Sequence, residues 1–324
     1  MSHPTFATPL PQSSRSETLE WRFPKPYSHY VLTGKSRAAW HTSFVIPQLN
    51  LLLDAGLCVN KLRPKHIFLT HGHSDHTLLS PAFVKGDDPP DIYCPQEMRT
   101  ALDNFIHAKT ILNLGGVIDV DDEIAHSDDS QKSDDSAPGL LDTHYTHGVK
   151  HSDIVSLRRA KDIQALVFNC DHTVPCVGYV FTSTTYRLKP EYGSIPGQEL
   201  KKLRQSGVEI TAPHTTPIFA FLGDTTAATL ASDPIWLQEG IPVVITECSF
   251  LYEEHKDQAV KTKHTYWPDL EKVVRRWPKT TFVVMHFSLR YSDEEIRRFF
   301  TDMPDPPTNI VIWVDGEGDG FGLK

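Results

Sequence analysis

The chain has 324 residues, of which 39% are hydrophobic and 23% charged, which suits a globular protein with a sizeable core; no apolar run approaches the length of a membrane span. A net charge of −9 argues against general adhesion to phosphate backbones, and five scattered cysteines without a CxxC pair read as reduced, buried thiols of a cytosolic or nuclear protein, not as a disulfide framework.

Residues 1–28 are rich in proline and serine, lack the apolar stretch of a signal peptide, and carry acidic residues that a transit peptide avoids. They read as a loose arm ahead of a single domain over 29–324. SFVIPQLNLLLDAG (43–56) reads as two strands with a turn near Pro47, and KHIFLTH (65–71) as a strand. QEMRTALDNFIHAK (96–109) has helical spacing at Met98, Leu102, Phe105 and Ile106. HSDDSQKSDDSAPG (126–139) is acidic and almost free of apolar residues, so it reads as a surface loop inserted between strands. IQALVFNC (163–170) and VGYVFTS (177–183) read as neighbouring strands, and GQELKKLRQSG (197–207) as a helix stopped by glycine. Strands follow at IFAFLGD (218–224), PVVITEC (242–248), TFVVMHF (281–287) and NIVIWVD (309–315). Helices are expected over 266–277 and 292–300, the second opened by Ser292 three residues before Glu295, a capping box. Short apolar strands among one-faced helices predict a layered α/β fold with helices packed over sheets. The basic runs RRAK (158–161) and KKLR (201–204) read mainly as solvated surface.

FLTHGHSDHTLLSP (68–81) crowds His71, His73, Asp75 and His76 into the end of a strand. In extended chain, residues two apart share a face, so His71 and His73 can face one metal. Asp75 and His76 follow at a turn and can face a second direction. Imidazole and carboxylate donors of this kind suit zinc, with bonds of about 2.0–2.2 Å, and such sites also accept Mn2+ or Fe2+. His3, His29, His107, His147 and His151 carry no comparable pattern and read as surface residues.

The HxHxDH pattern resembles the signature of the metallo-β-lactamase superfamily. That resemblance implies an αββα sandwich, two facing mixed sheets with helices outside, and metals at the sheet edges. Further segments are similar to its tRNase Z (ribonuclease Z-like) branch. By that likeness CDHTVPCVGY (170–179) supplies His172 to the first metal, and FLGDTTAAT (221–229) supplies Asp224 between the two. VVMHFSLRY (283–291) would supply His286 to the second metal, beside Asp75 and His76. TECSFLYEEHKDQAVKTKHTY (246–266) resembles the branch's His-Glu-Ala-Thr and His-Ser-Thr segments, with Glu247 orienting His264 and His264 protonating a leaving oxygen. Ser288, Arg290 or Thr265 would touch phosphate.

The resemblance thus implies a binuclear-zinc phosphodiesterase or endoribonuclease that hydrolyses an RNA 3′ end, such as a tRNA 3′ trailer, or a smaller phosphodiester by metal-activated hydroxide. Asp75 would also take the water's proton, and a homodimer is compatible with the branch. Three departures bear on the substrate. The interval between His172 and Asp224 holds only two strands and a helix, and KPEYGSIPGQ (189–198) is too short for the branch's long tRNA-gripping arm, which reads as missing or vestigial. GKSRAAWHTSF (34–44) stands in place of an early Thr-Lys-Arg-Asn loop, and Thr246 in place of a histidine. A hydrolase of a carbon ester, thioester or lactone on the same fold is the alternative, although thiolate and carboxylate leaving groups have less need of an acid such as His264. A binding protein that keeps its metals for stability is disfavoured because every candidate ligand is present.

Overall fold

Leu51, Leu52 and Leu53 point alternately to opposite faces of one strand, yet all three are fully buried. Their sheet is therefore covered on both sides, and the rest of the fold is set by what covers it. The structure, a computed structural model, describes residues 5–9, 18–59, 62–113, 115 and 142–315. The acidic segment 126–139 lies outside the described residues.

The first sheet contains β2 (Leu19–Arg22), β3 (Val31–Arg37), β4 (His41–Ile46), β5 (Leu51–Leu53), β6 (His66–Phe68), β7 (Asp91–Pro95) and β8 (Tyr145–Val149). Neighbours are antiparallel from β2 to β5 and parallel from β5 to β8. The second contains β9 (Ile154–Leu157), β10 (Ala160–Asn169), β11 (Val177–Leu188), β12 (Thr211–Phe221), β13 (Val243–Glu247), β14 (Thr281–Met285) and β15 (Ile310–Asp315). Here β9 to β12 are antiparallel and β12 to β15 parallel. A further strand, β1 (Thr5–Pro9), pairs in parallel with β15 and antiparallel with β2, so it belongs to both sheets. The segment expected to be a loose arm is therefore built into the sandwich through β1 and β2. Its backbone donors and acceptors complete the open edges of two sheets, which the proline and serine content concealed.

The sheets meet through aromatic side chains. Phe44 lies 5.0 Å from Trp313, and Phe68 lies 5.0 Å from Phe181, which itself stacks on Phe219 at 4.5 Å. The helices are α1 (Ser74–Thr77), α2 (Arg99–Asn113), α3 (Gly197–Gln205), α4 (Ala228–Ala231), α5 (Ile235–Gln238), α6 (Lys256–Thr262), α7 (Trp267–Arg276) and α8 (Asp293–Thr301). Leu102 and Ile106 of α2 cover Leu52, Ile67 and Ile92 on the outer face of the first sheet. Leu270 and Val274 of α7, with Ile296 and Phe300 of α8, cover Val244, Phe282 and Val284 on the outer face of the second. The layers are helix, sheet, sheet, helix, the αββα arrangement expected. Ser292 Oγ accepts from the backbone N–H of Glu295 at 3.1 Å, as the capping box requires. Among the described residues no helix is long and apolar enough to cross a membrane. Cys94, Cys170, Cys176 and Cys248 are buried, but Cys58, on the turn after β5, is exposed, contrary to the expectation of five buried thiols. His147 is not a free surface residue either: it stacks on Tyr93 at 4.7 Å and contacts Asp91 at 3.2 Å.

The C-terminal ends of β5, β6, β10, β12, β13 and β14 open at one edge of the sandwich. At or just past these ends stand Asp54, His71, His172, Asp224, Glu247 and His286. Elsewhere, β11 and β12 stay paired from Tyr179–Phe221 out to Leu188–Thr211, and their outer residues are half-buried or exposed. The connection at their far end includes α3, which buries no residue and carries Lys201, Lys202 and Arg204. The other basic run is tied down, with Arg158 on Asp91 and Arg159 on Asp88, each at 2.9 Å.

Phe181 bridges the facing sheets, so Phe181→Ala is expected to cost about 3–5 kcal/mol of stability, read as a lowered urea midpoint at unchanged slope. A loss below about 1 kcal/mol would show that the two leaves do not depend on this contact.

Candidate metal centre

Extended backbone persists to His73 (ψ 150°), and then α1 begins. The strand-like part presents His71 and His73 together, while the helical turn swings Asp75 and His76 to another direction. The other contributors arrive from the second sheet: His172 after β10, Asp224 after β12, Glu247 at the end of β13 and His286 after β14.

Two groups of donors form. His71 Nε2 lies 3.1 Å from His73 Nδ1, and His172 Nε2 lies 3.2 Å from the same atom. Asp224 Oδ2 faces this group, 3.6 Å from His71 and 3.9 Å from His172. In the second group His76 Nε2 and His286 Nε2 lie 3.2 Å apart, with Asp75 Oδ2 3.6 Å and 3.4 Å from them. Asp224 Oδ1 is 3.3 Å from both. One carboxylate thus turns one oxygen to each group. The structure brings all seven sequence-derived ligand candidates into these two sets, each with its donor atoms within 4.8 Å of one another.

Hydrogen bonds on the far side of each ring settle which nitrogen carries a proton. His76 Nδ1 donates to Asp54 Oδ2 at 2.7 Å. His71 Nδ1 donates to Thr70 Oγ1 at 3.0 Å, and that hydroxyl donates on to Asp54 at 2.9 Å. His172 Nδ1 donates to the carbonyl of Lys263 at 3.1 Å. His286 Nδ1 donates to Ser249 Oγ at 3.1 Å, which donates to Glu247 Oε2 at 2.8 Å. In all four rings the Nε2 lone pair is left facing inward, the arrangement that an outer shell imposes on metal-binding histidines.

The donor set fits divalent cations on two further counts. Asp224 Oδ1 is buried without a hydrogen-bond partner among the described residues, a costly state for a carboxylate oxygen unless a cation faces it. The short contacts of His71 and His172 Nε2 with His73 Nδ1, and of His76 Nε2 with His286 Nε2, also place ring nitrogens against one another, and only a proton or a metal relieves that. Burial favours the neutral form of His71, His73 and His172 and lowers their pKa values. His76 differs: burial opposes its charge, but Asp224 and Asp54 outweigh burial and raise its pKa well above the ordinary range. Asp75 and Asp224 are held below the usual carboxylate range, because the histidines around them overcome the opposing effect of burial. A metal would take the place of the proton on His76.

Backbone strain and close packing hold these groups. Asp54 (φ 54°) and His286 (φ 62°) are left-handed non-glycine residues at strand ends, a conformation that costs of order 1–3 kcal/mol each. A Cβ on Gly223 would lie 2.6 Å from Thr70 Oγ1, so only glycine lets the Asp224 turn approach the relay behind His71.

Glu247 and His264 form a second unit. Fully buried Glu247 accepts from His264 Nδ1 and from Thr225 N at 2.8 Å, and from Ser249 N at 3.1 Å. Lys263, left-handed at φ 52°, ends α6 and turns His264 inward. Burial opposes charge on His264, but Glu247 prevails and its pKa is pushed up to about 9. Of the expected phosphate contacts, Thr265 is committed elsewhere, its hydroxyl donating to Thr225 O at 2.7 Å. Arg290 holds Ser288 Oγ at 3.1 Å. Asp54, Thr70 and Ser249 are not among the residues the sequence singles out, although Thr70 lies inside FLTHGHSDHTLLSP and Ser249 inside TECSFLYEEHKDQAVKTKHTY; for Asp54 a lone acid ending the run LLLDAG is the signal.

Residues 53–162 match the family model of the Metallo-beta-lactamase superfamily. The chain is 27% identical over 275 residues to tRNase Z TRZ2, chloroplastic, of Arabidopsis thaliana, covering 83% of this chain and 70% of that protein. It is 26% identical over 284 residues to tRNase Z TRZ1 of the same plant, covering 86% and 92%. Among solved structures, human tRNase Z, short form (ELAC1), has 16% identity and a TM-score of 0.47, covering 79% of this chain and 92% of that one.

Asp54 orients two rings, so Asp54→Asn is expected to weaken metal affinity by about 10–100-fold, measured by competition with a chromogenic chelator. Unchanged affinity would mean that His71 and His76 keep their orientation without it.

Proposed function

We propose that this chain, a metal-dependent hydrolase with a metallo-β-lactamase domain and homologous to tRNase Z, is a binuclear zinc phosphodiesterase that acts on RNA 3′ ends. The single observation that carries the reading is the Glu247–His264 pair, which stands beside both donor groups, with His264 Nδ1 3.9 Å from Asp224 Oδ2. His71, His73 and His172 would hold one ion, Asp75, His76 and His286 the other, and Asp224 both. Such ions supply Lewis acidity and lower the pKa of water to near neutrality.

The chain's own residues do the rest. Asp75 Oδ2, fixed by the backbone N–H of Ala39 at 2.9 Å, stays ionised and accepts a hydrogen bond from the attacking water. Water forms the new bond to phosphorus as one of its protons passes by way of Asp75 to solvent, and the bond to the leaving oxygen breaks with its electron pair. An alkoxide is a poor leaving group, and the Nε2 proton of His264 neutralises it as it departs. Glu247 keeps that proton available near neutral pH and fixes the ring. Thiolates and carboxylates depart without such help, so the pair favours a phosphodiester over a thioester or lactone.

RNA rather than a small diester is favoured by the β11–β12 ribbon with α3 at its far end. It is not a long glycine- and proline-rich arm, but it carries Lys201, Lys202 and Arg204, cations of the kind that meet a phosphate backbone.

His264 acts in its protonated form, so cleavage of a ribodinucleotide should fall as pH rises toward and past about 9. Cations bound beside it move that limb lower. In His264→Ala the limb disappears and kcat/KM on the dinucleotide drops about 10²–10⁴-fold, with a smaller loss on bis(p-nitrophenyl) phosphate, whose phenolate leaves readily. Full retention of dinucleotide activity would remove the acid assignment. Reversing Lys201, Lys202 and Arg204 to glutamate should reduce cleavage of a precursor tRNA with a 3′ trailer far more than cleavage of the small diester. Equal effects on both would place RNA elsewhere, and failure of the wild-type chain to cut the precursor would reject tRNA as substrate.

A further inference from the structure

Lys263, the residue before His264, ends α6 in the left-handed conformation, φ 52° and ψ 50°. Glycine is the default at such a cap, because a Cβ is strained there. The chain places a long cationic side chain at this position instead, and both ends of the residue are used. Its carbonyl accepts the Nδ1 proton of His172 at 3.1 Å, the bond that turns His172 Nε2 toward the first donor group. Its Nζ donates to Asp171 Oδ1 at 2.9 Å, one residue before His172. The other oxygen of that carboxylate accepts from Thr226 Oγ1 at 3.0 Å, and Asp171 O accepts from the backbone N–H of Thr226 at 3.1 Å.

Three turns therefore meet at one place: 171–172, 224–226 and 263–265. Thr225 joins them on the buried side. Its Oγ1 accepts from Asp171 N at 3.0 Å, its carbonyl accepts from Thr265 Oγ1 at 2.7 Å, and its N–H donates to Glu247 at 2.8 Å. On the solvent side the contacts of Asp171 with Lys263 and Thr226 close the ring. The ion pair is nearly half exposed at both ends, 45% and 47%, where such a pair adds little to stability. A strained cap with a weak ion pair is a poor stabilising device, but it is a good way to hold two turns in register. We infer that Lys263 is a positioning residue: through Asp171 it locks the turn that carries the acid His264 to the turn that carries His172, and so sets where the acid stands relative to the first donor group. The role of His264 here rests on the phosphodiesterase reading; the tie to His172 does not. Displacement of a proton donor by an ångström is enough to cost orders of magnitude in rate.

The test compares Lys263→Gly, Lys263→Arg, Asp171→Asn and the double variant Asp171→Asn/Lys263→Gly with wild type, all loaded with zinc, on a ribodinucleotide and on bis(p-nitrophenyl) phosphate. Glycine relieves the cap while removing the pair, so the Tm of Lys263→Gly should hold or rise. Its kcat on the dinucleotide should nevertheless fall at least tenfold with KM within twofold. On bis(p-nitrophenyl) phosphate, whose phenolate needs no acid, kcat should change less than threefold. Lys263→Arg still reaches Asp171 and should recover the dinucleotide rate to within threefold of wild type. Asp171→Asn should match Lys263→Gly, and the double variant should lose no more than either, since both remove the same interaction. Dinucleotide turnover within twofold of wild type in Lys263→Gly, an equal fall on both diesters, or a lowered Tm overturns the positioning role. Full activity of Asp171→Asn also overturns it, by assigning the ammonium to the substrate itself. Zinc competition with a chromogenic chelator reads the His172 side without turnover: Lys263→Gly and Asp171→Asn should each weaken zinc about tenfold, and Lys263→Arg should restore it. If wild type cleaves neither diester, the phosphodiesterase reading fails and the competition decides alone. A tenfold loss restored by arginine then supports the tie, and unchanged affinity rejects it.

Discussion

Asp224 has to be ionised to be useful, and it is buried where ionisation is costly. Removing a carboxylate from water costs several kcal/mol unless opposite charge is close, and one of its oxygens has no hydrogen-bond partner among the described residues. Histidines surround it on both sides, and four of them, His71, His76, His172 and His286, are each turned by an outer hydrogen bond so that a lone pair faces in. Without cations the cluster can be neutralised only by protons, and His76, whose pKa Asp224 and Asp54 raise against the effect of burial, is one site that takes them. Protons and divalent ions therefore compete for the same inward-facing atoms, which couples occupancy of the centre to pH and to folding.

The outer hydrogen bonds are not independent of one another. Asp54 serves His76 directly and His71 through Thr70. Glu247 serves His264 directly and His286 through Ser249. Each buried acid thus orients two imidazoles, one directly and one through a hydroxyl, and the two arrangements lie at strand ends of opposite sheets. The second is chemically richer, because it joins a residue that faces a metal position to one that carries a transferable proton. A change that disturbs Ser249 would be felt by both.

Much of this is legible in the chain alone. HxHxDH is readable because its spacing matches the two periodicities of strand and turn, and because four such residues rarely crowd one short segment. His172, Asp224, His264 and His286 are legible by the company they keep, three of them just past an apolar strand and all in the order of a known family. Asp54, Thr70 and Ser249 are not, because a lone polar residue at a strand end looks the same whether it caps the strand or orients a ring, as Asp54 does for His76 and Ser249 for His286. The N-terminal strands escape the sequence for a related reason. What makes them strands is the unfilled edge of two sheets, a property of the assembled fold and not of their own composition.

β1 gives the assembly a mechanical property that side-chain packing alone would not. In a sandwich held only by interdigitated side chains, the leaves can slide past one another by small repacking steps. Here one strand is laddered to both leaves, to β2 on one side and β15 on the other. Sliding would shear a row of backbone hydrogen bonds as well as the aromatic contacts between the sheets. The metal centre draws His71, His73, Asp75 and His76 from one leaf and His172, Asp224 and His286 from the other, across a gap that must stay constant to tenths of an ångström. The strand at the N-terminal end of the sequence thus acts as the hinge pin that sets this gap, far from any atom that meets the substrate.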